Sequence, residues 1–194
     1  GERALRIGMK AKDSVYSDAI TALSKNEPPK ECGYLEFKRE MGSDKKYSNE
    51  NMPKECYSPE ELSAEVLKEL KSLINDETVN SVVITVPAMF TAIQKDATMK
   101  AARIAGFKQC ELLQEPIAAC MAYGLSSEKK DGKWLVFDFG GGTFDAALVK
   151  VEDGILTVFD TEGDNYLGGK NLDEAVVNKI LMPSLKEDYV LSSY

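Results

Sequence analysis

Phe137-Asp138-Phe139-Gly140-Gly141-Gly142-Thr143-Phe144-Asp145 stands between two apolar stretches, Trp134–Phe139 and Phe144–Val151, and reads as the turn of a β-hairpin. Three successive glycines permit positive φ and let a ligand approach the main chain closely. Successive amides in such a turn converge as a nest for an anion. Asp138 and Asp145 bracket the turn. Two carboxylates repel a phosphate unless a divalent cation lies between them. Mg²⁺, which takes oxygen ligands and keeps several waters, suits that place. Thr143 adds a hydroxyl for a phosphate oxygen or a water. The alternative is a plain hairpin with a glycine loop, which has little need of three glycines framed by two acids.

Outward from the turn, Asp153-Gly154 marks a second tight hairpin, and Ile155–Thr161 reads as a third strand. A helix is expected over Leu172–Leu181, stopped by Pro183. Upstream the texture changes. Ser58-Pro59-Glu60-Glu61 is a capping box with proline at the first helical position. Leu62, Val66, Leu70 and Leu73 follow at helical spacing and predict a helix to about Ile74. Ser81–Val86 is a β-branched run that reads as a buried strand ended by Pro87. A helix opens near Thr91, with Gln94 completing a second capping pair, and stops at Gly106. Cys110–Leu113 is a short strand, and Pro116 opens a helix that ends near Gly124. Alternating strands and helices predict parallel α/β architecture. Before Ser58 the pattern is weak: strands at Leu5–Ile7 and Tyr34–Phe37, a helix around Ser17–Leu23, and Pro53 as a breaker. The polar stretch Ser126–Gly132 is read as a boundary between lobes.

Composition excludes several function classes. The 194 residues carry a net charge of -8 and no histidine. The missing histidines remove Ser-His-Asp chemistry and most zinc sites. Net acidity argues against nucleic acid as a partner. No apolar run reaches membrane-spanning length. Cys32, Cys56, Cys110 and Cys120 form no C-x-x-C pair and fit a reduced, cytoplasmic setting. Cys110 and Cys120 lie in apolar stretches and read as buried thiols. Gly163 to Asn171 is superficially like a P-loop, but its lysine comes one residue late and asparagine stands where Ser or Thr is needed.

The Asp138–Asp145 stretch resembles the second phosphate-binding hairpin of the actin, hexokinase and heat-shock ATPase superfamily. Its wording is most similar to the seventy-kilodalton heat-shock chaperones. Val83-Ile84-Thr85-Val86-Pro87-Ala88 with Phe90 and Gln94 resembles a strand-and-helix signature of that family. Gln114-Glu115-Pro116 with Ala118-Ala119 resembles its glutamate-proline helix. Leu167-Gly168-Gly169 with Asp173 is similar to a later phosphate-contacting loop. Gly8-Met9-Lys10-Ala11-Lys12 and Phe37-Lys38-Arg39 are similar to two earlier segments.

The resemblance implies an α/β actin-like ATPase (ribonuclease H-like) fold, present in part. Residues 1–57 would be the outer subdomain of the first lobe, 58–128 its inner subdomain, and 129–194 the start of the second lobe. It implies ATP and ADP as ligands, with Mg²⁺ held through water by Asp138 and Asp145. Gly140, Gly141, Gly142, Thr143, Gly168 and Gly169 would contact the phosphates. Lys12 would reach the γ-phosphate and hold the attacking water, and Glu115 would help place water and metal. Pro87 and Lys95 would couple nucleotide state to a separate domain that binds unfolded polypeptides, with co-chaperones and a nucleotide-exchange factor as further partners. A filament-forming actin relative and a small-molecule kinase are the other members of the superfamily to consider. The chain departs from the family pattern at Lys95, where arginine is usual, at Met89, and at Lys170-Asn171, which points to a divergent branch. The first phosphate hairpin and most of the adenosine pocket have no counterpart in the sequence, so the chain by itself is expected to lack half of the site and to be inactive.

Overall fold

The computed structural model describes residues 7, 9–25, 33–49, 52–74, 79–123 and 131–188 of the chain. These divide into two compact units. One takes residues 1–83 and 91–111, the other 84–90 and 112–194. The lobe boundary expected at Ser126–Gly132 falls mostly outside the described residues, as does most of the strand expected at Leu5–Ile7.

In the first unit, helix α1 spans Met9–Ser24, longer than the Ser17–Leu23 segment expected. The strand expected at Tyr34–Phe37 does not form. Glu36 turns left-handed at φ 59°, and Phe37–Glu40 is a single 3₁₀ turn. Two short strands follow instead, β1 at Tyr47–Asn49 and β2 at Met52–Tyr57, paired antiparallel. Pro53 lies inside β2 rather than breaking it. A two-stranded sheet leaves each strand an open edge, where a residue without an N–H costs no ladder bond.

Helix α2, Pro59–Ser72, starts where the sequence indicates. The Glu61 amide donates to Ser58 Oγ at 3.3 Å, and the Ser58 amide donates to Glu61 Oε2 at 2.7 Å. Helix α3, Ala92–Ile104, opens with the same reciprocal pair from Thr91 and Gln94. Its end is a Schellman closure: Gly106 N donates to Arg103 O, Phe107 N donates to Ala102 O, and Gly106 takes φ 85°. The two helices pack through Leu67, Ala97 and Ala101 around Met41.

Strands β3 (Ser81–Val86) and β4 (Gln109–Gln114) pair with one another. The amides of Lys108 and Gln109 both donate to Asn80 O, so the strands begin side by side and run the same way. That is the parallel βαβ unit expected.

In the second unit, α4 (Glu115–Ala122) follows β4 without a loop. Strands β5 (Gly132–Phe139), β6 (Phe144–Glu152) and β7 (Ile155–Asp164) then form an antiparallel meander. Asp153 and Gly154 both have positive φ, 52° and 78°, as a type I′ turn requires. Along β6 every second residue is buried: Asp145, Ala147, Val149 and Val151. α4 covers this face, and Ile117 and Cys120 meet Val149, Val151, Trp134, Val136 and Leu156 there. The mixed α/β class is therefore as expected.

Helix α5, Gly169–Val176, passes through a wide π-turn at Val177–Leu181 into α6, Met182–Asp188. Pro183 does not stop the helix. It is the second residue of α6, just past the π-turn, in a first turn where a missing N–H is tolerated. Among the described residues no helix is long and apolar enough to cross a membrane.

The Ser58 amide bond is the main cause that holds the Glu61 carboxyl below its ordinary value. A depressed carboxyl stabilises the fold above its unfolded pKa, and that contribution fades as pH falls through the lower folded value. Ser58→Ala is expected to cost about 1 kcal/mol in denaturant unfolding. Glu61→Gln is expected to flatten the acid side of the stability–pH curve. A curve unchanged in the acid range would assign Glu61 no part in the cap.

Candidate functional site

The glycine turn sits at one end of the β5–β6 pair, and register fixes what surrounds it. Phe139 and Phe144 are the last cross-strand partners, and Asp138 lies directly opposite Asp145. Asp145 in turn lies opposite Gly163 of β7. The row Asp138–Asp145–Gly163 thus crosses the whole sheet beside the loop. Asp145 is only 4% exposed, whereas Asp138 is open to solvent. Like charges facing each other across a ladder repel, and a buried carboxylate is costly to desolvate. A cation placed between the two relieves both penalties.

The loop main chain is clasped from the α5 side. Gly140 N donates to Thr143 O at 3.0 Å and closes the turn. Gly169 N donates to Gly140 O at 3.0 Å, and Lys170 N donates to Gly141 O at 3.1 Å. Gly168 N donates to Asn171 Oδ1 at 3.0 Å, so Asn171 caps the start of α5 with its own side chain. Gly168 and Gly169 therefore meet the hairpin, and the leading amides of α5 are taken by hairpin carbonyls and by Asn171. Among the described residues the amides of Gly141, Gly142 and Thr143 donate to no acceptor. Three successive amides without a protein acceptor are what an anion-binding nest would require.

Two glycines are required by contact rather than by dihedral angle. Gly168 has extended backbone, but a Cβ there would collide with the main chain of Gly141 and Gly142. A Cβ on Gly163 would collide with Phe144 O and stand 3.3 Å from Met89 Sδ. Sequence reasoning passed over Gly163 as part of a false P-loop. The signal that would have found it is a glycine inside a strand, which marks close approach of another group. Asn171 enters the sequence reading only as a departure from a resemblance, yet its side chain accepts from the cap amide.

Glu115 is the first residue of α4, half-buried, immediately after the end of β4. Pro87 follows β3 and is fully buried, and Phe90 N donates to its carbonyl at 3.1 Å. Lys12 belongs to α1 and Lys95 to α3, both in the first unit. Of the expected site residues, the structure brings together Asp138, Gly140, Gly141, Gly142, Thr143, Asp145, Gly168 and Gly169. A groove of about 510 Å³ runs elsewhere in the second unit, along Leu156–Thr161 of β7, with Ala88, Gln114 and Ile117 on its other side.

Cys110 and Cys120 are not placed as reactive centres. Cys120 is buried and Cys110 half-buried, and desolvation pushes both thiols above their ordinary value. Among the described residues no cluster of three or more acids, cysteines or histidines forms a metal cage. Two carboxylates with water and phosphate oxygens completing the shell is the arrangement Mg²⁺ prefers, so the residues present fit that ion.

Gly168→Ala is expected to cost about 1–3 kcal/mol and to shift the amide resonances of Gly140–Thr143, because the added methyl has backbone on its far side. Gly141→Ala, where a Cβ meets nothing, is expected to leave stability within about 1 kcal/mol. Equal effects of the two substitutions would dismiss the clasp. A model of the family described as Hsp70 protein matches residues 22–191 of the chain.

Proposed function

The chain belongs to the Hsp70 family, and from that premise we propose that it is part of the ATP-binding and ATP-hydrolysing domain of a seventy-kilodalton type chaperone, supplying one of two phosphate-binding jaws. Family membership carries the general role of an ATP-binding chaperone protein. The observation that supports the narrower reading most is the run of three amides at Gly141, Gly142 and Thr143, beside two carboxylates in register.

In this reading the amides bind phosphate oxygens, and Thr143 orients a water or an oxygen. Mg²⁺, when bound, neutralises charge between the phosphates and the Asp138–Asp145 pair. The clasp of Gly168–Lys170 fixes the loop before ligand arrives, so little ordering cost falls on binding. Gly168 and Gly169 act through this clasp and through the shape of the loop. Lys12 holds the attacking water and Glu115 helps to place it. Pro87 relays nucleotide state towards a separate polypeptide-binding domain, with Lys95 as its basic partner. Lysine lacks the planar fork of arginine, so that relay makes single rather than paired contacts. The partial actin-like ATPase arrangement, first lobe plus the start of a second, belongs to the same proposal. So do the cytoplasmic setting, the unfolded-polypeptide clients and the co-chaperones.

One jaw alone holds nucleotide weakly. Calorimetric titration of the 194-residue chain with ATP and Mg²⁺ is expected to give a Kd weaker than about 1 µM, and tighter binding would refute the one-jaw reading. In the same titration followed by NMR, shifts are expected at the amides of Gly141, Gly142 and Thr143. Asp145→Asn is expected to reduce their Mg²⁺ dependence, and shifts confined to the β7 groove would overturn the site. In the complete protein, Lys12→Ala is expected to abolish turnover while nucleotide still binds; normal turnover would remove Lys12 from the reaction.

A further inference from the structure

Lys170 carries a positive charge where helix α5 gains nothing from one. It lies in the first turn of Gly169–Val176, the end at which aligned peptide dipoles favour an anion and disfavour a cation. Its side-chain partner does not explain the position either. Lys170 Nζ stands 3.7 Å from Glu174 Oε1, a long pair between side chains that are 47% and 54% exposed. Exposed pairs of this kind contribute little. The order is also the weaker one, since an acid four residues before a lysine supports a helix better than the reverse. Exchanging the two charges would suit α5 better on both counts.

The main chain of Lys170 is tied to the glycine turn. Its amide donates to Gly141 O at 3.1 Å, so the side chain is rooted on the turn itself. Side chains of a helix lean towards its N-terminus, and that end of α5 is the one clasped to the hairpin. The amides of Gly141, Gly142 and Thr143 belong to the same turn, and Asp138 and Asp145 stand opposite each other at its base. An anion drawn to those amides meets the acidic pair, and a cation carried by the chain offsets that repulsion. A point charge on a flexible four-carbon stem can leave one oxygen and take another without any movement of the backbone.

We propose that Lys170 is a phosphate ligand: its ammonium leaves Glu174 and closes on an oxyanion seated on the Gly141–Thr143 amides. The ligand chemistry is a phosphate oxyanion, either the tail of a nucleotide or free phosphate. Glu174 is then the competitor that holds the ammonium when no anion is present. The proposal rests on the reading of the turn as a phosphate jaw, and it adds to that jaw a positive charge that needs no metal.

The test is amide NMR of the 194-residue chain titrated with orthophosphate and with pyrophosphate, both in Mg²⁺-free buffer with a chelator. Shifts are expected at Gly141, Gly142 and Thr143. Lys170→Ala is expected to weaken both titrations about tenfold, and Lys170→Arg to retain most of the affinity. Glu174→Gln is expected to tighten them about twofold, because it removes the competitor. Lys170→Ala is also expected to leave the denaturant midpoint unchanged or higher, so that weaker binding is not weaker folding. A tighter response to pyrophosphate identifies a nucleotide tail as the ligand, and a tighter response to orthophosphate identifies free phosphate. Shifts at the turn that ignore Lys170→Ala would overturn the proposal and leave the phosphate jaw standing. So would a response that appears only with Mg²⁺ and ATP, or weaker binding in Glu174→Gln. A turn that responds to none of these ligands, with or without Mg²⁺, would overturn the jaw and Lys170 with it.

Discussion

Backbone lying on backbone at Gly168 and Gly141–Gly142 is the contact on which the site depends. Neither segment has a side chain to hold the other at arm's length, so the start of α5 sits against the hairpin turn. The carbonyls of Gly140 and Gly141 are then occupied by α5 amides, while the turn's own donors at Gly141, Gly142 and Thr143 are left without acceptors. Donors kept unsatisfied in a rigid loop are preorganised for an anion, and that rigidity comes from a neighbouring element. The glycine triplet alone would be a supple loop.

The acidic row adds the complementary demand. Antiparallel pairing forces Asp138 and Asp145 onto one face at one level, and α4 and its neighbours exclude water from the rest of that face. The sheet therefore places negative charge where folding by itself would avoid it. A divalent cation would ease that repulsion, and the neighbouring amides of Gly141, Gly142 and Thr143 would suit an anion. Anion-seeking amides and cation-seeking carboxylates at the end of one hairpin suit a ligand that brings both charges together.

Much of this was legible in the sequence because the strongest signals were local. Capping boxes at Ser58 and Thr91, the β-branched run Ser81–Val86, the glycine stop at Gly106 and the Asp153-Gly154 turn are each decided by a few adjacent residues. The glycine hairpin and its flanking acids were likewise readable, while the register that sets the two acids opposite each other came from the structure. Features that depend on distant partners were not. The role of Gly163 requires knowing that Met89 and the Phe144–Asp145 main chain lie over it. The clasp between Asn171, Gly168 and the loop joins segments nearly thirty residues apart. Pro53 and Pro183 misled because a proline's effect depends on whether its missing N–H was needed. An open strand edge and the turn after a π segment do not need it.

The two sheets also differ in how far the chain must travel to close them. β5, β6 and β7 join through turns of a few residues, so each pairing costs little loop entropy and can form within microseconds. β3 and β4 meet only after α3 has been threaded between them, and parallel pairs of this kind form more slowly. The meander that carries the glycine turn is thus favoured to assemble early from its own local contacts. Its outer face, on which Leu135, Phe137 and Phe159 are exposed, would then be formed while the βαβ segment is still searching. During synthesis or refolding, the surface most inclined to stick is also among the first to exist.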